Sequence, residues 1–212
     1  MPMTAFERDF GRVEPYTMMG ARRLANLHRS VETIAREEVP GDVVECGVAR
    51  GGSSALIGMA MARNAQTHRQ LWLLDSFEGM PEPSKERDPD YARAVQYVGT
   101  CRGDEAEVLG LVRRLAPTVR TVAVPGRYEQ TLPATDLPQR VAMLHVDCDW
   151  YDPVKLVLHT FWPRMSPRAV VQIDDYFGWD GCRRAVDEFL ATKPEVAWER
   201  VDSSGIRLRV PD

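Results

Sequence analysis

From residue 43 to about residue 190 the chain alternates two kinds of stretch, and this alternation narrows the available folds more than any other feature. One kind is a short apolar run rich in β-branched residues: Val43-Val44-Glu45, Leu71-Trp72-Leu73-Leu74-Asp75, Val119 to Val124, Val141 to Asp147 and Ala169 to Asp175. The other carries apolar residues at helical steps: Ala55, Leu56, Ile57 and Met59; Val108, Leu111, Val112 and Leu115 behind a capping Asp104; Val154, Val157, Leu158 and Phe161; and Arg183 to Leu190. Strands that are apolar throughout are buried on both faces, and strands alternating with helices predict a doubly wound α/β sheet, mostly parallel, with helices on both sides. Trp198 to Val201, the turn Ser203-Ser204-Gly205, and Ile206 to Val210 predict a closing antiparallel hairpin.

Ahead of that pattern, residues 1–17 show no period and are expected to be irregular. Leu24, Leu27, Val31 and Ile34 mark one face of an amphipathic helix stopped by Pro40-Gly41. The chain therefore divides into an N-terminal helical extension, 1–38, and a single domain, 39–212, large enough to bury a sizeable core. Ser76 to Gly103, with Pro81, Pro83, Pro89 and many charges, reads as a surface excursion, either a functional lid or disordered. Asp152-Pro153 reads as an N-cap followed by proline at the first helical position.

In a doubly wound sheet, ligands sit outside the carboxyl ends of the strands. There the first strand runs into Glu45-Cys46-Gly47-Val48-Ala49-Arg50-Gly51-Gly52-Ser53-Ser54. Gly47, Gly51 and Gly52 tolerate positive φ and close approach of a ligand, and the free N–H groups at the helix start suit an anion. The spacing is not that of the dinucleotide motif G-x-G-x-x-G. Glu45 suits a positively charged or hydroxyl-bearing ligand, and S-adenosylmethionine, with an α-amino group, a carboxylate and a sulfonium, meets both demands. A ligand-free turn fits the same residues, and the loop alone does not separate the two.

Glu45, Asp75, Asp147, Asp149, Asp174 and Asp175 all fall at strand ends and so converge on one rim. Crowded carboxylates repel one another and burial raises their pKa values, a conflict that a divalent cation removes. Ligands that are all oxygen favour Mg²⁺, with Mn²⁺ and Ca²⁺ as the alternatives. His145 lies on the same side of its strand as Asp147 and reads as a hydrogen-bonded buried histidine ahead of a base or a metal ligand. Trp150, Tyr151 and Trp179 either wall an acceptor pocket or pack in the interior.

A formal charge of −4 over 212 residues offers no basic patch, so no nucleic-acid partner is expected. No apolar run approaches the roughly 20 residues of a membrane span. Phe6-Glu7-Arg8-Asp9 places charges where a signal peptide would be apolar, which predicts a cytoplasmic protein. Cys46, Cys101, Cys148 and Cys182 lack C-x-x-C spacing and are expected to be reduced, with neither a zinc site nor a disulfide framework.

The ordered set VPGDVVECGVARGGSS, LLDSFEGMP, GRYEQTLP, LHVDCDWYDP and VVQIDDYFGWDGCRRAVDEF, spanning roughly residues 39 to 190, resembles the macrocin O-methyltransferase (TylF/MycF-like) family. The resemblance implies a Rossmann-like class I S-adenosylmethionine-dependent methyltransferase of antibiotic or related biosynthesis, a homo-oligomer that acts on a hydroxyl of a sugar or other natural-product diol. It implies that Asp147, Asp174 and Asp175 hold Mg²⁺. It also implies that Glu45, Gly47, Arg50, Gly51, Ser53, Asp75, Ser76, Phe77, Gly126, Arg127, Tyr128 and Asp147 surround the cofactor, with Asp75 on the ribose and Gly126 to Tyr128 near the adenine. Cys148 stands where the family pattern has a small residue. The expected chemistry is methyl transfer to a hydroxyl beside a second oxygen, with Asp147 favoured over Asp149 as proton acceptor. The competing readings are a scaffold that binds the cofactor without turnover and a metal-independent N- or C-methyltransferase.

Overall fold

The structure, a computed structural model, describes residues 3–212, so the irregular chain expected at Met1 and Pro2 lies outside the described residues. In chain order the elements are α1 (Ala5–Val13), α2 (Ala21–Arg36), β1 (Asp42–Cys46), α3 (Gly52–Arg63), β2 (Gln70–Asp75), α4 (Tyr91–Ala94), α5 (Glu105–Leu115) and β3 (Arg120–Pro125). They continue with α6 (Tyr128–Ala134), β4 (Val141–Val146), α7 (Tyr151–Phe161), β5 (Met165–Ile173), α8 (Asp180–Ala191), β6 (Trp198–Arg200) and β7 (Ile206–Arg209).

The strands form one sheet in the order β3-β2-β1-β4-β5-β7-β6. The first five pair in parallel, and β7 is antiparallel to both β5 and β6, which is the predicted doubly wound sheet with its hairpin. The chain order reverses between β1 and β4, and the crevice there is where such folds bind ligands.

The apolar runs serve both faces because successive side chains point to opposite sides. Val43, Leu71, Leu73 and Met143 join a core with α1, α2, α3 and α5. Val44, Cys46, Leu74, Leu144 and Val146 join a second with α7 and α8. Each fully buried Leu or Val contributes about 1.5–3 kcal/mol. No helix among the described residues is long and apolar enough to cross a membrane.

The expected irregular N-terminus is instead helix α1. Thr4 Oγ1 accepts from the Glu7 N–H at 3.1 Å while the Thr4 N–H donates to Glu7 Oε2 at 2.7 Å, a reciprocal cap that satisfies two otherwise free donors. Asp9, 1% exposed, ties α1 to α3 through Arg63 at 2.6 Å.

The predicted N-cap at Asp152 also gives way. Helix α7 begins at Tyr151, and its first N–H donates at 2.8 Å to Asp88, reached from the excursion after β2. Asp152 turns outward to Arg87 at 2.8 Å. The helix start needs an acceptor, and a carboxylate delivered through space serves as well as an adjacent one.

Candidate active site

Residues from the carboxyl ends of β1, β2, β3, β4 and β5 and from two flanking segments enclose one cavity of about 380 Å³. This volume lies in the range of small-molecule sites. Gly47, Ser53, Asp75, Ser76, Gly126, Arg127 and Tyr128 line it together with Asp147, Asp149, Asp174 and Asp175. Asp75 organises the loops at the carboxyl ends of β1 and β2. Its Oδ2 accepts from the N–H groups of Val48 at 2.6 Å and Ala49 at 3.0 Å, and its Oδ1 from Phe77 at 2.8 Å, so one carboxylate holds the loops after both β1 and β2.

Four residues assigned to the cofactor from sequence do not line the cavity. Glu45 is fully buried beneath it, because the strand register sets it beside His145, itself beside Gln172, in one row across the sheet. There it accepts from the Ser54 hydroxyl and meets His145 Nδ1 at 2.9 Å. Arg50 points outward with its guanidinium 5.9 Å from the Tyr16 ring. Gly51, at φ +80°, packs on Val108, and Phe77 packs against the core that includes α3 and α5.

The acids divide into a trio and an outlier. Oxygens of Asp147, Asp149 and Asp175 lie within 4.8 Å of one another. Asp174, expected from sequence in the metal set, instead turns one oxygen to Arg23, while its Oδ1 stands 3.8 Å from His145 Nε2 and lacks a hydrogen-bond partner. Burial, then the charges of Asp174 and Asp175, hold the Asp147 carboxyl well above the ordinary range. Burial, then Asp175 and Asp174, do the same to Asp149, against a bond from the Trp179 indole. Asp175 is raised to about 6 by burial and Asp174, against the pull of Arg23. Burial alone would depress the His145 imidazolium, but the carboxylates of Asp174 and Glu45 outweigh it and raise its pKa to about 9.

A stability prediction follows for chelator-treated protein. Asp175 and His145 both hold a proton more tightly folded than unfolded, so folding takes up protons and stability falls as pH rises. The loss spans 3.8 to about 6 for Asp175 and 6.5 to about 9 for His145. The melting temperature should drop by several degrees between about pH 5 and about pH 9, and a flat or rising profile would contradict this charge arrangement.

Sequence reasoning missed several lining residues. Arg23 comes from α2, Tyr16 to Met19 from the segment before it, and Met80, Pro81, Tyr97 and Cys101 from the excursion, which forms one wall. The open reading of the aromatics resolves by residue. Trp150 and Trp179 pack edge to face at 4.7 Å and both line the cavity, the first donating to Pro81 O at 2.8 Å and the second to Asp149 Oδ1 at 2.9 Å. Tyr151 is buried in α7, with its hydroxyl on Glu188.

The model of the macrocin-O-methyltransferase (TylF) family matches residues 4–209. Over 187 residues the chain is 37% identical to the 8-demethyl-8-(2,3-dimethoxy-alpha-L-rhamnosyl)-tetracenomycin-C 4'-O-methyltransferase of Streptomyces olivaceus, a match covering 86% of this chain and 70% of that one. It is 34% identical over 181 residues to the mycinamicin III 3''-O-methyltransferase of Micromonospora griseorubida, covering 82% and 70% respectively. The solved structure of the O-methyltransferase NovP is similar with a TM-score of 0.83 at 29% identity, covering 93% of this chain and 83% of that one. With nearly its whole length matched, the chain belongs to the macrocin-O-methyltransferase (TylF) family of S-adenosylmethionine-dependent O-methyltransferases.

Proposed function

We propose that this enzyme methylates a sugar hydroxyl of a glycosylated natural product, that the reaction needs Mg²⁺, and that Asp149 takes the proton. The substrate class is suggested by the relatives, named for methylation of a rhamnosyl tetracenomycin and of mycinamicin III. The observation that carries the metal reading is the gathering of Asp147, Asp149 and Asp175 within 4.8 Å beside the cavity. The donor set fits a hard cation: all oxygen, mutually repelling, and joined by a buried Asp174 oxygen that has no partner. Asp147, Asp175 and Asp174 would hold the ion, which when bound lowers the pKa of the acceptor hydroxyl and neutralises the acids.

The chain's own residues do the rest. The loop around Gly47 and Ser53, with Asp75 and the turn Gly126 to Tyr128, holds the sulfonium donor, and Asp75 retains a lone pair on Oδ1 for a ribose hydroxyl. The Trp150–Trp179 pair walls the acceptor side, and the Trp179 indole fixes the Asp149 carboxylate toward it. The acceptor oxygen forms a bond to the methyl carbon as the carbon–sulfur bond breaks. Its proton passes to Asp149, and S-adenosylhomocysteine leaves. Positioning of this kind is worth effective molarities of about 10⁵–10⁸ M.

The test is turnover with a glycosylated acceptor before and after EDTA. Activity should vanish on chelation and return with Mg²⁺. Chelator-resistant turnover would point to the metal-independent reading, and no turnover under any condition to the scaffold reading.

A further inference from the structure

We propose that Arg23 is the resident cation of the acid cluster: it holds Asp174 until a divalent ion takes that carboxylate, and then withdraws to Asp202. The inference rests on the metal reading given above and concerns how the site is kept in order before the ion arrives.

Asp174, at the end of β5, is 2% exposed. Arg23, in the first turn of α2, sends Nη1 to Asp174 Oδ2 and lies 3.5 Å from the Asp174 carbonyl oxygen. Its Nε donates to Asp202 Oδ2 at 3.2 Å. The guanidinium thus bridges two carboxylates through different nitrogens, which the planar fork of arginine allows and a lysine ammonium does not. Arg23 also lines the cavity with the acids, so exchange of one cation for the other needs no opening of the fold.

Two features make this a temporary partnership. Asp174 is only half satisfied, because its buried Oδ1 accepts no hydrogen bond and faces only the His145 ring, 3.8 Å away at Nε2, which is too long to replace one. The trio Asp147, Asp149 and Asp175 lies next to it without including it. A divalent ion held by Asp147, Asp175 and Asp174 would face the Arg23 guanidinium across the single Asp174 carboxylate, and repulsion between them favours separation.

Asp202 supplies the place to withdraw to. Its Oδ1 accepts from the N–H groups of Ser204 at 2.8 Å and Gly205 at 2.9 Å, so the turn of the β6–β7 hairpin holds it fixed while Oδ2 faces Arg23. The same turn reaches the cluster through Ser204 Oγ, 3.2 Å from Asp175 Oδ1. This gives the C-terminal hairpin a part in the site that its position at the sheet edge does not announce.

The experiment is Mn²⁺ binding to the full chain, read as loss of the free-ion EPR signal, with Mg²⁺ as competitor. Arg23→Gln should bind Mn²⁺ on the order of tenfold more tightly than the parent, because the competitor is gone. Asp202→Asn should bind it more weakly, because Arg23 then has only Asp174 to hold. Arg23→Lys, which keeps the charge and loses the bridge, should fall between the parent and Arg23→Gln. Shifts of opposite sign at two residues that touch each other are not what a general loosening of the fold produces. If Arg23→Gln does not fold, the signs for Arg23→Lys and Asp202→Asn decide. Parent protein that binds Mn²⁺ while Arg23→Gln binds equally or less tightly overturns this inference alone. Parent protein that binds neither ion overturns the metal reading with it.

Discussion

Asp149→Asn is expected to lower kcat by about 10²–10⁴ with KM, cofactor binding and Mn²⁺ binding nearly unchanged. Asp149 follows β4 at φ +61°, a conformation Asp tolerates better than most residues, and this aims its side chain into the cavity. Burial and the neighbouring charges of Asp175 and Asp174 hold its pKa well above the ordinary carboxylate range. A base gains effectiveness as its pKa nears the working pH, so the crowding that makes these acids awkward to fold makes this one useful. Asparagine has nearly the same shape and still accepts from the Trp179 indole through Oδ1. The loop and the tryptophan wall therefore persist, and only proton acceptance is lost. Asp147→Asn and Asp175→Asn should instead lose turnover and Mn²⁺ binding together. If Asp149→Asn loses the ion as well, Asp149 is a ligand, and if its kcat stays within about tenfold of the parent the base lies elsewhere, with Asp147 next in line.

The rim of acids was legible because a strand buried on both faces betrays its carboxyl end by the first charged residue after the apolar run, as at Asp75 and Asp147. Glu45 defeats the same logic. It is the penultimate residue of β1, and one step along a strand turns a side chain to the opposite face. It therefore joins His145 and Gln172 in a buried row under α2 and α3 instead of facing the ligand. Register between distant strands decides this, and no local pattern carries it.

Other features differ in how far the sequence discloses them. The Thr4-to-Glu7 cap was present to be read, but the buried face of α1 includes Asp9, whose charge breaks the apolar period. The cap of α7 comes from Asp88 through space, so its adjacent stand-in, Asp152-Pro153, misleads. Arg22 and Arg23 are indistinguishable in sequence. They differ by about 100° around the helix, which leaves the first exposed and brings the second to Asp174.

The largest stability effect should come from Gly47→Ala, a single methyl group. Gly47 sits at φ +92°, and a Cβ there would lie 1.8 Å from the Asp147 carbonyl oxygen. The left-handed conformation alone costs about 1–2 kcal/mol for an L residue. The contact costs more, because neither side can yield. The Gly47 N–H donates to Leu74 O at 3.0 Å and the Asp147 N–H to Cys46 O at 2.8 Å, which ties the ends of β1, β2 and β4 together where the chain order reverses. Relieving the clash means parting β1 from β4 and moving Asp147 with it. A loss above about 4 kcal/mol is expected, a large share of the stability of a typical domain, together with loss of cofactor and Mn²⁺ binding. Gly110→Ala supplies the control. It lies within α5, and a Cβ there meets nothing within 4 Å. The same substitution should stabilise by about 0.5–1 kcal/mol, since alanine loses less backbone freedom than glycine in a helix. Urea unfolding followed by circular dichroism measures both. Opposite signs of this size would attribute the effect at Gly47 to the closeness of two strand ends, whereas a Gly47→Ala midpoint near that of the parent would mean that the switch point has slack this geometry denies.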